Sequence, residues 1–192
     1  MTDLAERRGL DDAVVYQPAE DSGLLAEAAV AEAHGRVLEV GTGSGWVAER
    51  IAERRGLDVV GSDRNPHAAR QARDRGVQSV VADLCAPFRT AAFDTVCFNP
   101  PYLPTDPEYE WDDWMELALS GGESGRELIE PFLADVGRVL APGGVVLLLV
   151  SSLTGYDEVL ALIDEAGFDH DVVVEESFPF ETLSVLRLAR RE

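Results

Sequence analysis

The run Arg36-Val37-Leu38-Glu39-Val40-Gly41-Thr42-Gly43-Ser44-Gly45-Trp46 decides the fold. Its apolar residues make a short strand over 36–40, its glycines make a turn, and Val47 and Ile51, spaced i, i+4, carry a helix on to about Arg55. In such a strand-turn-helix unit the glycines let the backbone approach a ligand closely, and the helix N-terminus presents unpaired amides. The spacing narrows the choice of ligand. A dinucleotide fingerprint needs G-x-G-x-x-G, which would put glycine where Trp46 stands. The spacing G-x-G-x-G preceded by the acid Glu39 favours S-adenosylmethionine over NAD, against the plainer reading of a tight turn without a ligand.

Outward from this unit, apolar blocks alternate with helix-like segments, as in strands joined by crossover helices into a mostly parallel sheet. A helix over 20–34 precedes it, with Leu24, Leu25, Ala28, Ala29 and Ala33 on one face. Further strands are expected at 57–62, 77–82, 95–98 and 145–150, and helices at 66–75, 124–140 and 156–166. Asn65 caps the first of these helices and Pro66 fits its first turn. Residues 99–122 form the longest irregular stretch. Strands at 171–175 and 182–188 are joined by a Pro-containing link shorter than the dozen or so residues of a parallel crossover, which makes them antiparallel neighbours. The expectation is a single α/β domain over 1–192, with 1–34 as an N-terminal extension and helix. Its Rossmann-like sheet has seven strands in the order 3-2-1-4-5-7-6, with only the last-numbered strand antiparallel and helices on both faces.

A length of 192 residues suits one domain, and 46% apolar with 27% charged residues suits a folded chain and not a disordered one. The longest apolar run, 145–150, falls far short of the roughly 20 residues of a membrane-spanning helix. With Asp3, Glu6, Asp11 and Asp12 the N-terminus has no signal-peptide core, so a cytoplasmic protein is expected, without membrane attachment. Acids outnumber bases by 36 to 16, the net charge is -20, and every base is Arg. That excess disfavours a nucleic acid, whose phosphates normally supply most of the affinity. A halophilic-type acidic surface, adapted to high salt, is the plainer cause. Cys85, Cys97, His34, His67 and His170 have no metal-ligand spacing, and no metal site is expected.

Acids end three consecutive strands. Glu39 stands next to last in the first strand, Asp63 lies 22 positions beyond Gly41 where a carboxylate can accept both ribose hydroxyls, and Asp83 can accept an adenine amino group. Any one alone reads as a surface acid or a cap; together they outline a ligand crevice. Asn99-Pro100-Pro101-Tyr102, an N-P-P-Y motif, follows the fourth strand beside the point where strand order reverses. A planar amide or amino nitrogen is a poor nucleophile because its lone pair is delocalised. The Asn99 side-chain oxygen and the Pro100 carbonyl can accept both of its N–H bonds and favour the charge that develops as it attacks a methyl sulfonium, while Tyr102 packs on the planar group.

On these residues the chain resembles the S-adenosylmethionine-dependent methyltransferases of Rossmann-like fold, and within them the HemK-like release-factor glutamine methyltransferases in their archaeal and eukaryotic form. The resemblance covers nearly the whole chain. It also rests on Val15-Tyr16-Gln17-Pro18-Ala19-Glu20-Asp21-Ser22, on Gly121-Gly122 with Gly125-Arg126, and on Glu181-Thr182-Leu183-Ser184-Val185-Leu186. The first of these separates the family from DNA methyltransferases that share N-P-P-Y. Gln17 departs from it, standing where the family usually has Glu.

The resemblance implies that Ser22, Glu39, the loop glycines Gly41, Gly43 and Gly45, Asp63, Asp83, Leu84 and Asn99 hold S-adenosylmethionine. It implies that Asn99, Pro100 and Tyr102 are catalytic, and that Asn99, Pro101, Tyr102 and Arg126 meet the substrate. A helix-start turn accounts for Arg126 equally well. The implied reaction is N5-methylation of the glutamine in the Gly-Gly-Gln loop of the class I translation termination factor; methylation of adenine N6 or another nucleobase amine uses the same tetrapeptide. The absence of a separate target-recognition domain and the acids Asp106, Glu108, Glu110, Asp112 and Asp113 favour the protein substrate. The third strand, Val-Gln-Ser-Val-Val-Ala, would be an edge without charge or proline. The resemblance implies that a small zinc-binding activator subunit pairs with it.

Overall fold

The strand that opens the glycine-rich turn, β1 (Arg36–Val40), lies inside the sheet, and its side chains alternate between two apolar layers. The computed structural model describes residues 15–105 and 114–191. Residues 1–14 of the expected extension and the acidic stretch 106–113 lie outside the described residues. Val37 joins the layer formed by α1 (Glu20–Glu32), α2 (Trp46–Arg55) and α3 (Pro66–Asp74), while Leu38 and Val40 join that of α5 (Ile129–Val139) and α6 (Tyr156–Glu165). The same period of two runs through β5 (Leu140–Ser151): Leu147 and Leu149 face the first layer, Val146, Leu148 and Val150 the second. A strand buried on both faces has to be apolar throughout, which explains the unbroken run read at 145–150.

With β2 (Asp58–Asp63), β3 (Gln78–Val81), β4 (Phe93–Phe98), β6 (Phe168–Ser177) and β7 (Thr182–Arg190), the sheet has seven strands in the order β3-β2-β1-β4-β5-β7-β6. Only β7 runs against its neighbours. The link between β6 and β7 is a tight hairpin closed by Phe178 N–H donating to Glu181 O at 2.7 Å, as its length required. Asn65 caps α3, its side-chain oxygen accepting from His67 N–H at 2.9 Å. Among the described residues, no helix is long and apolar enough to cross a membrane.

Around the cleft and in β5 the elements differ from the sequence reading. The stretch read as irregular contains a short helix, α4 (Trp114–Leu119), with no buried side chain to give it a pattern. The helix expected from 124 begins at Ile129, because 121–128 form successive turns. β5 begins at Leu140, with Pro142-Gly143-Gly144 spanning a shift in its register with β4 between Phe93 and Thr95. Gly45, read as part of the ligand loop, has φ +79 and faces α3; a Cβ there would lie 2.8 Å from both Ala72 Cα and Cβ. Gly45→Ala should therefore cost about 2–5 kcal/mol, a left-handed non-glycine residue plus an overpacked contact. Urea unfolding should show a lower midpoint with an unchanged slope, and a wild-type midpoint would mean that α3 yields freely.

Candidate active site

The carboxyl ends of β1, β2 and β4 open into one cleft of about 380 Å³, at the place where the chain order reverses between β1 and β4. Two carboxylates shape its floor by gripping backbone. Glu39, on the same face of β1 as Val37, is buried; one of its oxygens accepts from the Thr42 hydroxyl and, at 3.1 Å, from Ala48 N–H in the first turn of α2. Burial pushes its pKa up to about 8, with the Thr42 and Ala48 hydrogen bonds pulling the other way. Asp63, ending β2, accepts from Gly43 N–H and from Asn65 N–H, each at 2.8 Å. Burial raises its pKa and those two amides oppose the shift. The Gly41-Thr42-Gly43 turn is thus held open between two anchored carboxylates. Asp83 and Leu84 complete this end, and Leu84 has φ +45, a left-handed conformation that costs a non-glycine residue about 1–2 kcal/mol. Backbone strain of this kind at a cleft wall is a mark of function.

The other end of the cleft belongs to Asn99. Its Nδ2 donates to Asp21 Oδ2 at 2.9 Å, while its Oδ1 is buried without a hydrogen-bond partner. A buried acceptor left unmet costs about 1–3 kcal/mol, so this atom is suited to receive an N–H from a ligand. Pro100, Pro101 and Tyr102 continue the wall. The Tyr16 and Tyr102 phenols are both held well above their usual pKa, by burial first and by the negative charge of Asp21 next, so both stay protonated. The chain beyond Tyr102 is braced from behind: Leu103 N–H donates to Leu119 O at 3.1 Å, and Gly121 N–H to Leu103 O at 2.9 Å. Gly125, at φ +72, supports the same wall, and a Cβ there would come within 2.7 Å of Tyr102 O.

Of the residues singled out in the sequence, Ser22, Glu39, Gly41, Gly43, Asp63, Asp83, Leu84 and Asn99 to Tyr102 all line this one cleft. Gly45 and Arg126 are not among its lining residues. Arg126 Nη1 donates to Thr154 O, which ties the turn before α5 to the helical turn that follows β5. Sequence reasoning gave no role to Asp21 or Tyr16, although both sit in the motif at 15–22; an acid in the first turn of a helix reads as favourable to the helix dipole and nothing more. It also missed Trp114 and Leu117 of α4, which line the cleft. The set fits S-adenosylmethionine, with a carboxylate at the β2 end for a ribose, an uncrowded Gly41 in the turn, and an unmet acceptor where the methyl-receiving nitrogen would lie.

A family model described as a methyltransferase domain matches residues 37–122. A Methanocaldococcus jannaschii protein named for protein N5-glutamine methyltransfer is 36% identical over 182 residues, covering 92% of each chain. Human methyltransferase HEMK2 is 34% identical over 192 residues, covering 92% of this chain and 90% of its own. Among solved structures, the E. cuniculi Mtq2-Trm112 complex, described as responsible for methylating the translation termination factor eRF1, superposes with a TM-score of 0.77 at 31% identity over 93% of this chain and 100% of the other. With relatives this similar along nearly its whole length, the chain belongs to the HemK-like family of S-adenosylmethionine-dependent protein N5-glutamine methyltransferases, in its archaeal and eukaryotic form.

Proposed function

We propose that this enzyme, a single catalytic domain working in the cytoplasm, methylates N5 of the glutamine in the Gly-Gly-Gln loop of the class I translation termination factor. The observation that carries the reading is the buried, partnerless Asn99 Oδ1. When bound, S-adenosylmethionine supplies an electrophilic methyl group on a sulfonium. Ser22, Gly41, Gly43, Asp63, Asp83 and Leu84 hold it, and Glu39 acts by keeping the Gly41-Thr42-Gly43 turn in place. Asn99 Oδ1 and the Pro100 carbonyl accept the two N–H bonds of the substrate amide, which fixes its plane and stabilises positive charge as it develops on nitrogen. Pro101 and Tyr102 pack against that plane. Among the described residues, the cleft carries the acids Asp21, Asp63, Asp83, Glu116 and Glu127, with Glu39 held mostly neutral near pH 7 by burial, against Arg64 alone. Such a cleft repels a phosphodiester chain and suits a basic protein loop.

The reading extends to a partner. β3 pairs only with β2 among the described residues, and Val80 and Val81 are 40% and 54% exposed. A small zinc-binding activator subunit adds a strand there, its main chain giving affinity and the outward valines specificity. The E. cuniculi relative, solved with Trm112, supports this.

Three measurements test the reading. Incubated with labelled S-adenosylmethionine, cognate termination factor and total RNA, the enzyme should label the factor's glutamine. Asn99→Ala should cut that rate about 10²- to 10³-fold with cofactor affinity unchanged, as expected for a hydrogen bond that matters in the transition state. Label in RNA would replace the substrate. Asp63→Ala should weaken S-adenosylhomocysteine binding in calorimetry about 10- to 100-fold, through the lost ribose contact and the released Gly43 amide; unchanged affinity would make Asp63 a bystander. Val81→Lys should abolish co-purification with the activator subunit, and full activity of the chain alone would remove the partner.

A further inference from the structure

Asn99 can serve as an acceptor toward a substrate N–H in only one of its two amide orientations. Turned by 180° about its last torsion, it would present Nδ2–H to the substrate amide, donor against donor. In the structure that choice is made by Asp21. Its carboxylate is 5% exposed and accepts from Asn99 Nδ2 at 2.9 Å. A carboxylate only accepts, so it takes the NH₂ end of Asn99 and leaves Oδ1 facing the cleft.

Asp21 is itself held. Ser22 N–H donates to Oδ1 at 2.6 Å, and the Tyr16 hydroxyl lies 3.1 Å from Oδ1 and 3.2 Å from Oδ2. The raised pKa of Tyr16 keeps that hydroxyl a donor. These contacts come from the N-terminal motif, 78 positions away in sequence from Asn99. They fix the carboxylate before any substrate arrives.

We propose that Asp21 is a positioning residue of the methyl-transfer site, capturing Asn99 Nδ2 and thereby aiming Asn99 Oδ1 at the acceptor nitrogen. The proposal rests on the reading of Asn99 as the group that receives the substrate amide. It also gives the motif at 15–22 a task at the acceptor end of the cleft, distinct from the contact of Ser22 with the cofactor.

The test is Asp21→Asn, nearly isosteric, whose side chain can turn to donate and so lets Asn99 flip. Single-turnover methylation of the termination factor should slow about 10- to 100-fold, while S-adenosylhomocysteine affinity and KM for the factor stay within about two-fold. In an Asn99→Ala background the same substitution should change the residual rate by less than two-fold, because a residue that acts through Asn99 has nothing left to position. An equal loss in both backgrounds overturns the proposal, as does wild-type turnover of Asp21→Asn. If both Asp21→Asn and Asp21→Ser lose cofactor binding or fold, Asp21 is only scaffold for the first turn of α1 and the proposal is likewise overturned. Failure of the wild-type enzyme to label the factor would instead refute the substrate reading, and the Asp21 comparison would then be made on whichever acceptor takes the label.

Discussion

Glu39 holds a buried carboxylate against the Thr42 hydroxyl and the Ala48 amide, and the geometry of the cleft depends on that tether. It joins the end of β1, the glycine-rich turn and the first turn of α2 through one side chain. Hydrogen bonds to a charged group contribute about 1.5–3 kcal/mol each, while stripping water from a carboxylate costs several kcal/mol. A pKa raised to about 8 shows that burial outweighs these bonds and leaves the group mostly the neutral acid near pH 7. The tether thus adds little net stability and a great deal of position. Asp63 repeats the device from β2, taking Gly43 N–H and Asn65 N–H. Held from both sides, the turn is fixed between β1 and β2.

The strand order converts this local arrangement into a complete site. Because β1 lies between β2 and β4, the turn after β1 and the Asn99 tetrapeptide after β4 face each other across the point where the chain reverses direction through the sheet. Asp21 and Ser22 reach the same cleft from the start of α1, and Gly125 closes it from behind by letting Tyr102 O approach. Segments distant in the chain therefore share one cleft, and Asp21 meets Asn99 within it.

Most of the sheet was legible because its signals are local. Strands buried on both faces read as apolar blocks, the helices between them carry a single apolar stripe, and the link at 178–181 permits only a hairpin. The acids at strand ends and the Asn99 tetrapeptide were legible for a related reason, since their chemistry and their place after a strand coincide. What the sequence hid depends on distant contacts. α4 buries no side chain and has no periodicity to read. α5 starts late because Gly125 is held left-handed beside Tyr102. Gly45 looks like a loop glycine, yet its neighbour is Ala72 on α3. The role of Asp21 is fixed by Asn99, far along the chain, and no local pattern could carry it.

On the proposed reading, the acidity of the cleft and its use of a neutral nitrogen have one physical origin. A carboxylate that is free in the site would itself compete for the substrate N–H bonds or draw in a cation. Here Asp21, Glu39 and Asp63 each accept from groups of the chain's own, which fixes the direction in which each points. Tyr16 and Tyr102, kept protonated by burial and by Asp21, add no further charge. The field left at Asn99 is negative and favours a nitrogen that becomes positive as it is alkylated. In the proposed reaction Asn99 Oδ1 and the Pro100 carbonyl are the two acceptors, which an NH₂ group can satisfy and a hydroxyl, with one hydrogen, cannot. The same arrangement thus selects the acceptor by its hydrogens and stabilises it by its charge.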